Sequence, residues 1–299
     1  MSDTVRRPGT LSSLLRRPSG WAGLTLVVAV LALAALAPAI APYDPLQLSL
    51  RAKLQAPGAL HWLGTDQTGR DLLSRVLWGA RPSLAVGLVA VAIGLLGGCT
   101  LGLTAAYFQG LWGQAVMRTM DGLASIPLLI WAIAVVGVIG VGPTVIGPFR
   151  FPNEAKLIVL IGIFYMPPLA RVTYGGALTE AASDYVRARR SQGASDMSIM
   201  LGDILPNCAS PVIVQATLLI AVGIVVEASL SFIGLGVEPP NPSWGSMLAD
   251  ARNYVFTGQW WMSVFPGLAI SLSVVGFNLL GDALRDVLDP RNAGTGPAI

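Results

Sequence analysis

Charged side chains are scarce in this chain. Of its 299 residues, 12% are Asp, Glu, Lys or Arg, whereas roughly 25% of the residues in a soluble protein are charged. Hydrophobic residues make up 54% of the chain. So little polar surface is typical of an integral membrane protein. The net charge of +3 is too small to indicate binding to nucleic acid.

Side chains that could act in catalysis, metal binding or phosphate binding are also few. The two cysteines, Cys99 and Cys208, lie in or beside different apolar runs and do not indicate a disulfide framework. The one histidine, His61, excludes a histidine-based metal site or a Ser-His-Asp triad assembled elsewhere. Neither lysine, Lys53 or Lys156, follows a glycine, so the chain lacks the G-x-x-x-x-G-K-S/T loop that cradles ATP phosphates. We predict no enzymatic activity, no cofactor and no metal site.

Long apolar runs dominate the rest of the chain. A helix of about 20 apolar residues crosses the hydrocarbon core of a bilayer. Six runs approach this length and predict an all-α, polytopic membrane protein with spans at about 21–40, 83–106, 122–142, 157–174, 211–233 and 262–284. We divide the chain into an N-terminal tail at 1–20, one transmembrane domain at 21–291 and a C-terminal tail at 292–299. A signal peptide is the alternative for the first run, but its length favours a membrane anchor.

Arginines near the start of the chain predict its orientation. Arg6, Arg7, Arg16 and Arg17 precede the first span, and basic residues flank membrane spans on the cytoplasmic side. The N terminus is therefore expected in the cytoplasm. The even number of crossings then places the loop at 182–207 and the C terminus on the same side.

That loop is the longest polar segment between two spans. Its sequence, ASDYVRARRSQGASDMSIMLGDILPN, predicts a helix over 184–192 that ends at a glycine corner, Gly193. Ser195 can cap a second helix, with Asp196 in its first turn, where the helix dipole favours a carboxylate. We expect this second helix to stop at Pro206. Its apolar flank comprises Met197, Met200, Leu201, Ile204 and Leu205.

The loop resembles the cytoplasmic coupling loop of ABC-importer permeases, whose pattern is EAA, three residues, Gly, nine residues and I-x-L-P. With Gly193 aligned, Leu205-Pro206 falls in register, whereas the EAA triplet falls on Arg187-Ala188-Arg189 and matches only at its alanine. The string DYVRARRSQGAS followed by ILPN is similar to the dipeptide, oligopeptide and nickel branch of that family. The resemblance implies an ATPase-coupling loop formed by Asp184, Tyr185, Val186, Arg187, Ala188, Arg189, Arg190, Gly193, Ala194, Ser195, Asp196, Leu205 and Pro206. The alternative is a solvated amphipathic hairpin without a partner.

Two strings outside this loop also resemble the branch. One combines 63–66 (LGTD) with 69–71 (GRD), and the other is NPSWG at 241–245. Asp66 is expected to cap a turn. The apolar stripe that follows predicts an interfacial helix along the membrane surface, separate from the second span. Both a docking role and an ordinary entry helix fit this stripe, formed by Leu72, Leu73, Val76 and Leu77, with Arg70, Arg75 and Arg81 off it.

The second and fifth spans contain small and acidic residues of interest. Gly94, Gly98 and Gly102 form a doubled small-xxx-small pattern that would let another helix, in this chain or a partner, approach closely. Glu227 lies in the fifth span, where a carboxylate costs about 2.5–3.5 kcal/mol on insertion scales. It can line a translocation path, pair with another helix or cap the end of the span.

The predictions for the third span and for the connections between spans are simpler. Residues 107–121 are predicted to be a short connection, and Pro127 a kink in the third span. Residues 143–156 are predicted to form a turn, and 237–261 an outer loop.

The resemblance implies a biological role for the whole chain. It implies the second, C-type permease of a heterodimer in a bacterial or archaeal inner membrane, where ATP drives the import of small peptides or a similar solute. The implied partners are a related permease, two cytoplasmic ATPases, an extracytoplasmic solute-binding protein and membrane lipid. A secondary transporter or channel is the alternative, although it would need more ionisable residues in its spans and usually an inverted repeat. An intramembrane enzyme would need a nucleophile and base that the spans do not supply.

Overall fold

The structure, a computed structural model, describes residues 10–15, 17–140, 142–146 and 149–288. The predicted tail at 292–299 lies outside these residues. The helices are α1 Thr10–Leu15, α2 Pro18–Ile40, α3 Leu72–Phe108, α4 Gly110–Ala124, α5 Leu128–Ile139, α6 Asn153–Ala181, α7 Asp184–Ser191, α8 Asp196–Ser198, α9 Leu205–Phe232, α10 Trp244–Ala251 and α11 Trp261–Leu288. A π-helical stretch, Ile199–Ile204, lies between α8 and α9, and short 3₁₀ turns occur at Leu50–Ala52 and Val255–Thr257.

The all-α class with membrane-spanning helices is confirmed. Within the described residues, five helices are long and apolar enough to cross a membrane: α2, α3, α6, the continuous helix Asp196–Phe232 and α11. A sixth span results if α4 and α5, which meet at an angle of 85°, are counted together. Two three-residue strands, β1 Thr144–Ile146 and β2 Phe149–Phe151, form a small antiparallel hairpin before α6. The segment predicted as a turn at 143–156 therefore holds this hairpin and the start of α6.

The bundle has two distinct ends. At the α7 end, α3 and α6 finish and the helix leading into α9 begins; Arg17, before α2, pairs there with Asp286 near the end of α11. At the α10 end, α3 begins, α9 finishes and the 41–71 loop packs on the start of α11, where the Trp261 indole donates to the Thr65 carbonyl. The outer loop predicted at 237–261 contains α10, whose first turn is fixed by a capping box between Ser243 and Ser246.

Helices α3 and α6 pack closely because the α3 glycines carry no side chain. A Cβ added to Gly98 would lie 2.7 Å from the Met166 carbonyl oxygen, and one on Gly102 would lie 2.4 Å from that of Ala170. On Gly94 a Cβ would lie 2.7 Å from the Tyr165 Cβ. The small-xxx-small pattern therefore faces α6 of the same chain.

The interfacial helix predicted before the second span does not exist as a separate element, and this expectation was wrong. Its residues form the first turns of α3, a 37-residue helix that continues through Pro82. Arg75 was expected off the apolar stripe but is 2% exposed, because Asp66 and Asp250 lie close enough to compensate its charge. Protein, not lipid, covers this part of the helix.

The connection predicted at 107–121 was also wrong, because α4 occupies most of it. The third span, predicted as one kinked helix at 122–142, is instead broken into α4 and α5 at Ser125–Pro127. The Pro127 nitrogen carries no hydrogen, so it cannot donate a backbone hydrogen bond to the preceding turn. The helix therefore breaks at this point.

The second helix of the 182–207 loop does not stop at Pro206, contrary to the prediction. From Asp196 it continues to Phe232 as one helix of 37 residues. The π-helical stretch widens the hydrogen-bond ladder, so that the Leu205 N–H donates to the Met200 carbonyl five residues back. The wider turn accommodates Pro206, which has no N–H to donate.

Candidate functional site

The corner at Gly193 is built by the local sequence. Helix α7 ends in a Schellman motif: the Gly193 N–H donates to the Arg190 carbonyl, and the Ala194 N–H to the Arg189 carbonyl. Gly193 has a φ of +78°, in the left-handed region that favours glycine. Ser195 then caps the next helix by accepting the Ser198 N–H. Helix, glycine corner and capped helix thus follow the predicted order.

An apolar cluster fixes the corner to the bundle. Val186 of α7 is 1% exposed and packs with Ile199 and Ile204 beyond the corner, and with Tyr107 and Cys208 of the long helices. The predicted apolar flank is only partly buried. Met200 and Ile204 face this cluster, whereas Met197 and Leu201 are exposed.

Polar contacts join the corner to the end of α3. The Tyr107 hydroxyl donates to Asp196 at 2.6 Å. The guanidinium of Arg190 lies over the Tyr107 ring, 5.0 Å from its centroid. Arg189 pairs with Asp203 in the π-helical stretch at 3.1 Å. A displacement of the corner would therefore act on both α3 and the helix that leads into α9.

Apart from these contacts, the surface of the corner is exposed. Residues 190–193 and 195–198 are exposed, and so are Arg187 and Ala188. Within the part of the chain that the structure describes, the Arg187 side chain pairs with Asp184, one helical turn away, and both side chains are largely exposed. The corner is therefore a convex, mainly basic projection, anchored on one side and open on the other.

Sequence reasoning missed the residues that hold this projection in place. Tyr107 and Asp203 contact it, and Asn207 donates to the Tyr185 hydroxyl. Tyr107 was assigned to a connection, so the sequence carried no signal that it faces the corner. Asp203 lies seven residues beyond Asp196 on the same helix, but Asp196 faces Tyr107 of α3 and Asp203 faces Arg189 of α7, and the sequence did not indicate either contact.

Glu227 is fully buried near the α10 end of the bundle, within a cradle of hydroxyl groups. Its carboxylate accepts from Ser83 of α3 at 2.8 Å and from Ser231 of α9 at 2.6 Å. The Ser83 hydroxyl in turn accepts the backbone N–H of Trp244 at the start of α10. The carboxylate thus joins α3, α9 and α10 of this chain. A role in lining the translocation path stays a prediction.

A second polar network holds the 41–71 loop on the α10 end. The Asp66 carboxylate accepts from the Thr68 N–H and hydroxyl, as expected for a turn cap, and pairs with Arg70 at 2.6 Å and Arg75 at 3.4 Å. Burial by itself would raise the pKa of Asp66. The Thr68 hydroxyl, the Arg70 N–H and the two guanidinium charges outweigh burial, and they lower the pKa below its ordinary value of 3.8.

Comparison with known proteins identifies the family. Residues 98–294 match the family described as the inner membrane component of binding-protein-dependent transport systems. The chain belongs to this family. Residues 10–57 also match the N-terminal transmembrane domain of oligopeptide transport permease C. The family is one of ABC transporter permeases, membrane components rather than enzymes.

Several curated permeases are similar to this permease over most of their length. It is 40% identical to the putative peptide transport system permease protein of Brucella suis biovar 1, covering 97% of this chain and 95% of the relative. It is 42% identical to the di/tripeptide transport system permease protein DppC of Pseudomonas aeruginosa, covering 90% and 87%. The glutathione transport system permease protein GsiD of Escherichia coli O6:K15:H31 is 43% identical, covering 90% and 85%.

A solved structure shares the fold of the permease. A chain of the inward-facing MetNI methionine ABC transporter superposes with a TM-score of 0.53 over 72% of this chain and 96% of that chain. The two sequences are 22% identical, so this likeness concerns the fold alone.

Proposed function

We propose that this permease is the second, C-type membrane subunit of an ATP-driven importer of small peptides or a similar solute. The relatives support a peptide-like solute, because proteins 40–43% identical to this chain are named as permeases for peptides, di/tripeptides and glutathione. The match of residues 10–57 to permease C supports the C-type position.

The observation that carries the proposal is the Gly193 corner. It is anchored by Val186, Tyr107 and Asp203 on its bundle side, while its opposite surface is exposed. A rigid convex element of this kind suits insertion into a groove of a partner protein. Because the chain has no phosphate-binding loop, we infer that the partner at this corner is a separate ATPase subunit.

Membership of the family supports the remaining partners that we propose. A second, related permease completes the translocation path, two ATPases dock at the α7 ends, and a solute-binding protein delivers the solute at the α10 ends. The N-terminal arginines favour a cytoplasmic α7 end, which brings both termini and the corner to the ATPase side. Closure of the ATPases would displace the corner, and its contacts with α3 and the π-helical stretch would pass this displacement to the spans.

Substitutions of Gly193 test this assignment. Valine is disfavoured at a φ of +78° by roughly 1–2 kcal/mol, whereas asparagine visits the left-handed region more readily. No atom lies within 4 Å of a Cβ added at this position, so neither substitution causes a clash. We expect Gly193→Val to assemble in the membrane but to lose ATP-dependent dipeptide uptake and to retain less ATPase on purification. Gly193→Asn should largely preserve both.

Uptake into proteoliposomes and ATPase retention should be measured on the same preparations. The coupling assignment would be wrong if Gly193→Val transported and retained its ATPase like the unaltered complex. Equal losses in the valine and asparagine variants would indicate that any side chain at the corner blocks docking, without a role for backbone conformation.

A further inference from the structure

An open cleft of about 640 Å³ lies between α4 and the last third of α6. Its lining includes Gln114, Arg118 and Asp121 of α4, and Tyr174 and Leu178 of α6. Because the chain turns by 85° between α4 and α5, the axis of α4 is nearly perpendicular to that of α5. The volume lies within the range of about 300–1,000 Å³ in which small-molecule sites fall.

Charges of both signs meet in this cleft. Arg171 of α6 donates to the Asp121 carboxylate at 2.8 Å, and each side chain is 49% exposed. Arg118 lies one turn before Asp121 on α4 and is also exposed. Among the described residues, no hydrogen-bond or ion-pair partner of Arg118 is present. The cleft lining therefore carries the Asp121 carboxylate and the Arg118 guanidinium, and the Arg171 guanidinium reaches Asp121 from beside the lining.

Arg171 lies on α6, which is long and apolar enough to span a membrane, whereas Arg118 and Asp121 lie on α4, which counts toward a span only together with α5. Arg171 is ten residues before the end of α6 at Ala181, or about 15 Å along the helix. Asp121 belongs to the bent pair that counts as the sixth span. Ionisable residues within membrane helices generally face water-filled cavities or the bundle interior, and they mark the paths of substrates and ions.

We propose that this cleft is a solute-binding station on the translocation path and that it recognises the two charged ends of a zwitterionic peptide. The peptide carboxylate binds Arg118 and Arg171, because a guanidinium forms bidentate hydrogen bonds with a carboxylate. The peptide ammonium group binds Asp121. This assignment rests on the proposed function, since it takes the solute to be peptide-like.

The test measures binding without transport. The purified permease–ATPase complex, without ATP and without the solute-binding protein, is dialysed against radiolabelled dialanine or against N-acetyl-dialanine amide, which has no charged ends. We expect dialanine to bind and the capped analogue to bind at least tenfold more weakly. Asp121→Asn and Arg171→Gln should each weaken dialanine binding about tenfold, as expected when one charge-assisted hydrogen bond is lost. Arg252→Gln, an exposed change at the α10 end, serves as the control and should bind normally.

A steric variant guards against effects of the ion pair on folding. Gln114 of α4 lines the cleft and is exposed. Gln114→Trp keeps every charge but fills part of the cleft, so it should assemble normally and lose dialanine binding.

Three outcomes would contradict the proposal that the cleft is a solute-binding station. These are equal binding of dialanine and its capped analogue, unchanged binding in all three cleft variants, or charge-dependent retention of anionic lipid in place of dialanine. The last result would assign the arginines to lipid headgroups. Because the assay requires neither ATP hydrolysis nor uptake, a complex that transports dialanine yet gives any of these results contradicts the station alone and leaves the proposed function intact.

Discussion

At the scale of single residues, Glu227 shows how a buried carboxylate is held inside a membrane protein. Its two oxygens accept hydroxyl hydrogen bonds from α3 and α9. Removing the carboxylate would leave the Ser83 and Ser231 hydroxyls without their acceptor, and each unsatisfied buried group costs about 1–3 kcal/mol. The sequence indicated that this residue is important, but it could not indicate its partner, because Ser83 is 144 positions away.

We therefore expect Glu227→Ala to insert into the membrane but to lower the unfolding temperature and reduce transport. Glu227→Gln keeps an acceptor of the same shape and should lie between the alanine variant and the unaltered protein. Ser229→Ala, which removes an exposed hydroxyl two residues away, is the matched control. Normal stability and transport in Glu227→Ala would contradict both the pairing role and the path-lining role.

Asp66 gives a prediction about pH. Its lowered pKa means that the ionised carboxylate stabilises the folded state. This contribution is present above the ordinary pKa of 3.8 and is lost as the pH falls through the folded-state pKa. Asp66→Asn leaves the buried Arg70 and Arg75 with the more distant Asp250 as their carboxylate partner, and breaking a buried pair costs up to about 3–5 kcal/mol. Thermal unfolding at about pH 7 should show a marked loss in Asp66→Asn, and the difference from the unaltered protein should shrink at about pH 3. A difference that does not change with pH would argue against the ion pairs as its cause.

At the scale of elements, the contact between α3 and α6 depends on glycine. An isoleucine at Gly98 would place its Cβ 2.7 Å from the Met166 carbonyl oxygen, and overpacking of this kind costs about 1–3 kcal/mol. We expect Gly98→Ile to reduce the yield of folded protein and its resistance to proteolysis. Gly137→Ile in α5, where no atom lies within 4 Å of an added Cβ, should have little effect. Equal behaviour of the two variants would show that close α3–α6 packing does not limit stability.

Elements whose boundaries depend on local chemistry could be predicted from the sequence. The Gly193 corner and the Ser195 cap are of this kind, because each depends on residues within one or two turns. The elements that the sequence analysis missed depend on the structure of neighbouring segments. Pro206 would end an isolated helix, but the π-helical stretch before it accommodates the proline and the helix continues. The break at Pro127 was placed correctly, yet its angle and the helical state of residues 110–124 were not visible in the sequence.

The same distinction applies to the candidate site. The helix–glycine–helix pattern that contains Val186 could be predicted from the sequence, whereas the anchors Tyr107 and Asp203 could not. Tyr107 meets Asp196 across 89 positions, and no local rule relates residues so far apart. The buried position of Arg75 was missed for a similar reason, because Asp250, one of the charges that compensate it, lies on α10.

At the scale of the whole molecule, the two ends of the bundle differ in character. The α7 end carries the basic projection and the Arg17–Asp286 pair, whereas the α10 end carries the 41–71 loop and α10. With the proposed orientation, an impermeant maleimide added outside intact cells should label Asn241→Cys and miss Ser191→Cys, both of which are exposed positions. The background should have Cys99 and Cys208 replaced by alanine. The reverse labelling pattern would invert the orientation.

The central claim is that the Gly193 corner contacts an ATPase, and site-directed photo-cross-linking tests this contact most directly. In the same background, a benzophenone attached at Gln192→Cys, which is exposed on the corner, should cross-link the permease to the ATPase subunit of the assembled complex. The same probe at Asn241→Cys, at the opposite end, should not. Reproducible cross-linking from Asn241 but none from Gln192, in a complex that still transports, would contradict the coupling role of the corner.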